Sequence, residues 1–209
     1  MTPTVDQWRR ALGARLDRAA QWAPWLQDAV DSFDIAAPLR LAAFCATVGH
    51  ETLGLFYSRE VWGPTDAQER YERDPAAAWP PTDADDTNRL AWTLGNSEPG
   101  DGLLYAGRGL FQLTGRANYR AATAALHILG APDFEANPDR AEEPRWASIT
   151  AGWYWSTHGI SHYADAEDFD GVSDLVNRGR KTPRVGDSNG YTDRLARYRV
   201  ARAVLGVPL

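Results

Sequence analysis

Glu51 and Glu60 stand nine residues apart in the stretch LRLAAFCATVGHETLGLFYSRE, residues 39–60. Two carboxyls can divide acid and base work when their surroundings differ, one kept protonated by burial and the other kept ionised in a polar setting. Glu51 follows an apolar run, so it is either turned to solvent or held in a cleft with a raised pKa, as a general acid requires. Glu60, beside Arg59, has the polar surround that keeps a carboxylate ionised. At about 100° per residue, nine steps make roughly 900°, so on one continuous helix the two side chains point in opposite directions. They converge only if the helix stops between them. Gly54 permits that stop. The plainer alternative is a surface glutamate beyond a helix end.

A second polar stretch is YAGRGLFQLTGRANY, residues 105–119. Its glycines are spaced too irregularly for a GxGxxG loop, and no Lys-Ser/Thr pair follows for a P-loop. What remains is a loop that brings backbone close to a ligand and displays Arg108, Gln112, Thr114, Arg116 and Asn118. Metal chemistry finds no support. His50-Glu51-Thr52-Leu53-Gly54 lacks the second histidine of HExxH, and His158 and His162 have Gly159 between them and no evident third ligand. No metal and no cofactor are expected. There is no GxSxG, and the single cysteine, Cys45, falls on an apolar stripe, where it reads as a small core residue. Nine tryptophans are many for 209 residues. Each alone reads as core, but Trp62, Trp79 and Trp92 lie in or beside a polar segment and are the candidates for stacking on a ring-shaped ligand.

The elements that must position these groups read as helices. Thr4 and Gln7 form a capping box opening a helix over residues 5–20. Pro24 starts a second, with Trp25, Leu26, Ala29, Val30 and Phe33 buried. Pro38 suits the first position of the helix bearing Leu41, Phe44, Cys45 and Val48 at i, i+3, i+4 and i+7. Residues 63–102 are broken by prolines and aspartates and read as a small lobe with short helices near 66–73 and 87–94. Further helices are expected over 119–129, 145–157, 170–177 and 192–205, the second with Trp146, Ile149, Trp153 and Tyr154 on one side and Trp155 on another. The fold class is predominantly all-α, a single domain over 1–209 with an inserted lobe at about 63–102.

The net charge of −6 disfavours nucleic acid as partner. A local basic face must come from Arg178, Arg180, Lys181 and Arg184. No stretch reaches the roughly 20 apolar residues needed to span a bilayer. The first residues, MTPTVDQWRR, lack the pattern of a signal peptide. Synthesis in the cytoplasm, and action on a cell wall in the periplasm after release or delivery, are the expectation.

Taken together, His50-Glu51-Thr52, Glu60 and GRGLFQLTGRANY resemble glycoside hydrolase family 19, in its phage endolysin branch rather than the plant chitinases. Leu94-Gly95-Asn96 is similar to the end of that family's middle segment. Leu175-Val176-Asn177-Arg178-Gly179 is similar to its late Asn-Gly loop, with arginine where glycine is usual. The resemblance runs from about Trp25 to the end. It implies a lysozyme-like α fold and inverting hydrolysis of a β-1,4-linked N-acetylhexosamine polymer. Glu51 becomes the general acid, Glu60 the general base, and Thr114 the hydroxyl that holds the attacking water. Gln112, Tyr119 and Asn177 become sugar contacts, joined by His50, Arg108 and Trp62 as expected substrate-binding residues. Inverting enzymes place their two carboxyls about 6.5–9.5 Å apart to admit water. The plant disulfides and carbohydrate-binding appendage are missing, which shifts the expected substrate to peptidoglycan strands, cut by a monomer. Chitin hydrolysis, a lytic transglycosylase with one essential glutamate, and a non-catalytic glycan-binding module are the alternatives.

Overall fold

The computed structural model describes residues 2–83 and 86–208. Its helices are α1 (Val5–Leu12), α2 (Leu16–Ser32), α3 (Pro38–Glu51), α4 (Asp66–Glu69), α5 (Arg89–Leu94), α6 (Asp101–Leu104), α7 (Arg116–Leu126), α8 (Pro144–Thr157), α9 (Ile160–Asp165), α10 (Phe169–Arg178) and α11 (Tyr191–Val204). Among the described residues the β structure is confined to isolated bridges, Arg59 with Arg108 and Arg108 with Leu113. The fold is all-α.

α3 is the central rod, packed chiefly on α11 and also on α1. Every residue from Leu41 to Gly49 is buried, so the expected apolar stripe is in fact apolar on all sides. That is the signature of a helix enclosed by others rather than one lying on a surface. Thr47 is admitted because its hydroxyl bonds back to the carbonyls of Ala43 and Phe44, both at 2.9 Å. Cys45 lies fully inside, and burial pushes its thiol up.

The N-terminal reading needs correction. The capping box of Thr4 and Gln7 opens α1 as expected, but the helix ends at Gly13, left-handed at φ 66°, and not near residue 20. α2 then begins at Leu16, and Pro24 lies inside it. Pro24 and Ala20 are both exposed, so water can take the carbonyl that the missing N–H leaves free. Shifting the start of α2 also changes its buried face. Trp22, Leu26, Ala29 and Val30 point inward, while Trp25 is exposed.

α8 lies between two apolar clusters. Ala147, Ala151 and Trp155 join the main core around α3, and Trp146 and Ile149 join a second cluster with Tyr105, Tyr119, Leu126 and Phe134. Phe33 packs against both clusters, and within the main core the Phe44 ring lies edge-on to Trp155 at 5.5 Å and to Phe111 at 5.7 Å. Residues 63–102 are tied internally by buried amides. Asn88 bonds Asp74 and Ala78, and Asn96 bridges the Tyr71 carbonyl at 2.9 Å to the Arg116 N–H at 2.8 Å. These bonds hold together a segment that prolines and aspartates break into short helices.

The approach of α1 to α3 leaves no room at Gly49, where a Cβ would sit 2.5 Å from the Leu12 carbonyl oxygen. Gly49→Ala gains about 1 kcal/mol of helix propensity but must push two backbones apart. The net loss expected is about 1–3 kcal/mol, the usual cost of overpacking. Urea denaturation measures it, and an unchanged midpoint contradicts the close contact.

Candidate active site

Glu51 closes α3, and the chain reverses at once. Thr52, buried, donates to the Val48 carbonyl at 2.6 Å and accepts from the Leu55 N–H at 2.8 Å. Leu53, Gly54 and Leu55 all have positive φ, at 49°, 68° and 65°. Gly54 is demanded twice over, since a Cβ there would also lie 2.4 Å from the Gly13 carbonyl oxygen. Arg18 pins the turn from outside through the Leu55 carbonyl at 2.8 Å.

The Glu51 side chain, 21% exposed, meets Arg194 from the first turn of α11, with Nη2 at 2.5 Å from Oε1. Arg194 is 1% exposed and its Nε donates to the Asn189 carbonyl at 2.9 Å. Tyr154 of α8 completes the surround, its hydroxyl donating to the Leu175 carbonyl at 2.8 Å. Burial and then the Glu51 charge push that phenol up to about 12. Glu51 therefore does not lie alone in an apolar cleft. Because α11 packs along α3, it brings an arginine that residues 39–60 give no hint of. His50, next to it, serves the same packing: its Nδ1 lies 2.7 Å from Asp193 Oδ2, which also accepts from Arg197 at 2.7 Å. Burial works to raise the Asp193 carboxyl, and the bonds from His50 and Arg197 outweigh it, leaving it below its usual range.

Glu60 is held by backbone on one side and an amide on the other. Its N–H donates to the Gly107 carbonyl at 2.8 Å, and Gly107 N–H donates to Glu60 Oε2 at 3.0 Å. Gln68, buried in α4, donates to Oε1 at 3.0 Å and to the Val61 carbonyl at 2.9 Å. Gly109 N–H reaches back to the Ser58 carbonyl at 2.8 Å. A Cβ on Gly107 would lie 2.4 Å from Gln112 Oε1 and 3.1 Å from Thr114 Oγ1. Glu60, Gln112 and Thr114 thus meet around one glycine. Gln112 is left-handed at φ 51°, and its carbonyl accepts the Thr114 hydroxyl at 2.8 Å. One carboxylate is thus set against a guanidinium and the other against amides beside a hydroxyl.

No family model matches the chain. A protein of Haemophilus influenzae, described as a glycosyl hydrolase family 19 domain-containing protein, is 30% identical over 172 residues, covering 77% of this chain and 78% of its own. The chain belongs to glycosyl hydrolase family 19. It is a glycoside hydrolase. Chitinase C of Streptomyces griseus aligns over 98% of this chain and 76% of its own, with TM-score 0.64 and 24% identity. A bacterial family 19 chitinase aligns over 100% and 97%, with TM-score 0.65 and 24% identity. At that identity both speak for the fold.

For this family 19 chain the expected sugar contacts divide. Gln112 and Thr114 are part-exposed beside Glu60. Asn177 is also part-exposed, and its Oδ1 accepts from the Asn189 N–H at 3.0 Å. Tyr119 and Arg108 are corrections, being 0% and 2% exposed. The Tyr119 hydroxyl donates to the Ala106 carbonyl at 2.8 Å and accepts from Arg108 at 3.0 Å, and Arg108 also bonds Asp139 at 2.8 Å. Burial drives the Tyr119 phenol up to about 12. These two brace the loop from behind. Trp62 is part-exposed and tilted against Tyr71, at 6.3 Å between ring centres, while Trp79 and Trp92 meet edge-on at 4.9 Å. The expected basic face is reduced, since Arg178 pairs with Asp187, and Lys181 with Asp168 and Asp170. His158 stacks on Tyr154 and His162 lies edge-on to Tyr163.

Sequence reasoning missed Arg194, Gln68 and the hub role of Gly107. Only Gln68 had a signal, the Thr65–Gln68 capping box that forms at α4. Tyr119→Phe tests the correction. It should cost about 1–3 kcal/mol of stability, since the buried hydroxyl makes two hydrogen bonds, one of them with a charged guanidinium, and leave KM for a glycan oligomer unchanged. A raised KM with unchanged stability returns Tyr119 to the sugar contacts.

Proposed function

We propose that this family 19 hydrolase cleaves the β-1,4 bonds of bacterial peptidoglycan by inversion, with Glu51 as general acid and Glu60 as general base. The observation that supports this most is the difference between the two carboxylate settings. Glu60 accepts from Gly107 N–H and Gln68 and sits beside the Thr114 hydroxyl, a geometry suited to orienting a water molecule. Glu51 stands apart against Arg194 and Tyr154. In the proposed reaction Glu51 protonates the departing glycosidic oxygen while Glu60 takes a proton from water attacking the opposite face of the sugar. Thr114 fixes the direction of that water, and Gln112 and Asn177 hold the sugar. Arg194 positions Glu51 and offsets its charge once the proton has gone.

The endolysin-like motif set favours peptidoglycan as substrate and action in the periplasm after release or delivery. Hydrolysis of chitin is the second reading, because the solved neighbours are named chitinases. Purified peptidoglycan should yield soluble muropeptides with ordinary reducing ends, seen by mass spectrometry, and chitin oligomers should turn over more slowly. Faster chitin turnover reverses the substrate, and anhydro-sugar ends replace hydrolysis by transglycosylation.

Glu51→Gln and Glu60→Gln should each lower turnover by about 10²–10⁴-fold, the range of general acid–base contributions. Thr114→Ala should cost less, since Glu60 still activates the water, and Thr114→Ser should retain most activity. The pH profile should be a bell. Protonation of Glu60 removes the base on the acid side, and deprotonation of Glu51 removes the acid on the alkaline side. Gln68→Glu sets a second carboxylate against Glu60, favours the protonated form, and should move the acid limb to higher pH. Near wild-type turnover in folded Glu60→Gln, checked by circular dichroism, eliminates the two-carboxylate mechanism.

A further inference from the structure

α10 is buried on both sides. Phe169, Val172 and Leu175 join the main core. The opposite side is polar, and on an ordinary amphipathic helix it would face water. Instead Asp170, Ser173 and Asp174 are 5%, 0% and 0% exposed. With Asn177 they stand at i, i+3, i+4 and i+7, one stripe along the helix. Each spends its polar group on the chain that follows α10. Asp170 Oδ1 accepts from the Gly186 N–H at 2.6 Å, Asp174 Oδ2 from the Thr182 N–H at 2.8 Å, and Asn177 Oδ1 from the Asn189 N–H at 3.0 Å. The Ser173 and Ser188 hydroxyls share a hydrogen bond of 2.7 Å, and Ser188 is buried as well.

Such a stripe is a costly way to pack a helix. Lys181 pairs with Asp170, but Asp174 Oδ1 is buried with no hydrogen-bond partner among the described residues. Apolar residues at these positions would avoid that cost. What the polar stripe supplies is register, because each bond fixes one residue of the loop against one turn of the helix.

The loop so fixed runs straight into the surroundings of Glu51. The Asn189 N–H is held by Asn177, and the Asn189 carbonyl accepts from Arg194 Nε at 2.9 Å. Arg194 Nη2 then meets Glu51 Oε1 at 2.5 Å. Gly190, next in the chain, presses on the His50 ring, where a Cβ would lie 2.4 Å from Cε1. The Tyr154 phenol also leans on α10, donating to the Leu175 carbonyl at 2.8 Å. Among the described residues, Arg194 of α11 and Tyr154 of α8 are the charged and titratable groups that other helices set against Glu51. Both are anchored to α10.

We propose that α10 is the support that aims the general acid: its polar stripe fixes residues 186–189, these fix Arg194, and Arg194 orients Glu51. Ser173 and Ser188, too deeply buried to touch a glycan, are then positioning residues of the reaction. The proposal rests on the reading of Glu51 as general acid above. Loosening the loop lets Arg194 withdraw. The Glu51 carboxylate then loses part of the cation that stabilises it, so its proton leaves at higher pH. The charge that offsets it after proton transfer is weakened too.

The test uses the full chain carrying Ser173→Ala, Ser188→Ala or both, which removes the shared hydrogen bond at little change in volume. The Glu51 carboxyl is titrated by carbon NMR in the free enzyme. In parallel, kcat/KM is followed against pH on whichever of solubilised peptidoglycan and chitotetraose the wild type cleaves faster. The Glu51 midpoint and the alkaline limb should both rise by about half a unit. Turnover should fall about fivefold with KM unchanged, and the acid limb set by Glu60 should stay in place. The double variant should add no further rise, since all three remove one bond. Thr123→Ala, which takes a hydroxyl from the Phe134 N–H on α7, should leave the midpoint where it is. An unmoved midpoint in the folded single variants, an additive double variant, or an equal rise in Thr123→Ala overturns the proposal. A midpoint that rises while the alkaline limb stays keeps the support and sinks Glu51 as the acid.

Discussion

The placement of Glu60 depends on a short piece of backbone pairing between residues 58–60 and 107–109. Glu60 N–H to the Gly107 carbonyl, Gly109 N–H to the Ser58 carbonyl, and Gly107 N–H to the Glu60 carboxylate join two segments almost fifty positions apart. Without this seam Glu60 would lie on the loop that follows α3 with nothing to aim it. With it, the carboxylate is placed against the loop that carries Gln112 and Thr114. The pairing also explains why residue 107 is glycine, since the space a side chain would need is filled by those two groups.

The seam is effective because its two backings are rigid. Arg108, in the middle of the loop, is buried and spends its guanidinium on the Leu104 and Ala106 carbonyls, Tyr119 and Asp139. On the other side the reversal after Glu51 is locked by Thr52, Gly54 and Arg18. Two residues with side chains, Leu53 and Leu55, hold left-handed backbone there. Strain of this kind persists where surrounding structure over-determines it, and such positions gather at functional sites.

α11 unites the rest. One helix presents Arg194 to Glu51 and Asp193 to His50. Its contacts with α3 are the most extensive between any two helices. A shift of α11 would therefore disturb the surroundings of Glu51 and His50 together.

Local pattern was enough to establish the helical class, the capping box at Thr4, Pro38 at the head of α3, the break after Glu51 and the glycine-rich loop, because caps, periodicity and glycine conformations act over a few residues. The family resemblance was also legible, since its motifs are contiguous. Tertiary structure alone decided what surrounds each group. Arg194 is one arginine among many until α11 packs on α3, and Tyr119 looked like a ligand contact until the loop folded over it. Pro24 read as a helix start because a proline inside a helix usually costs a bond, and only its exposure shows that water can supply a substitute. Spacing along the chain specifies which residues can share a turn. Burial and the approach of distant elements determine which charge each one meets.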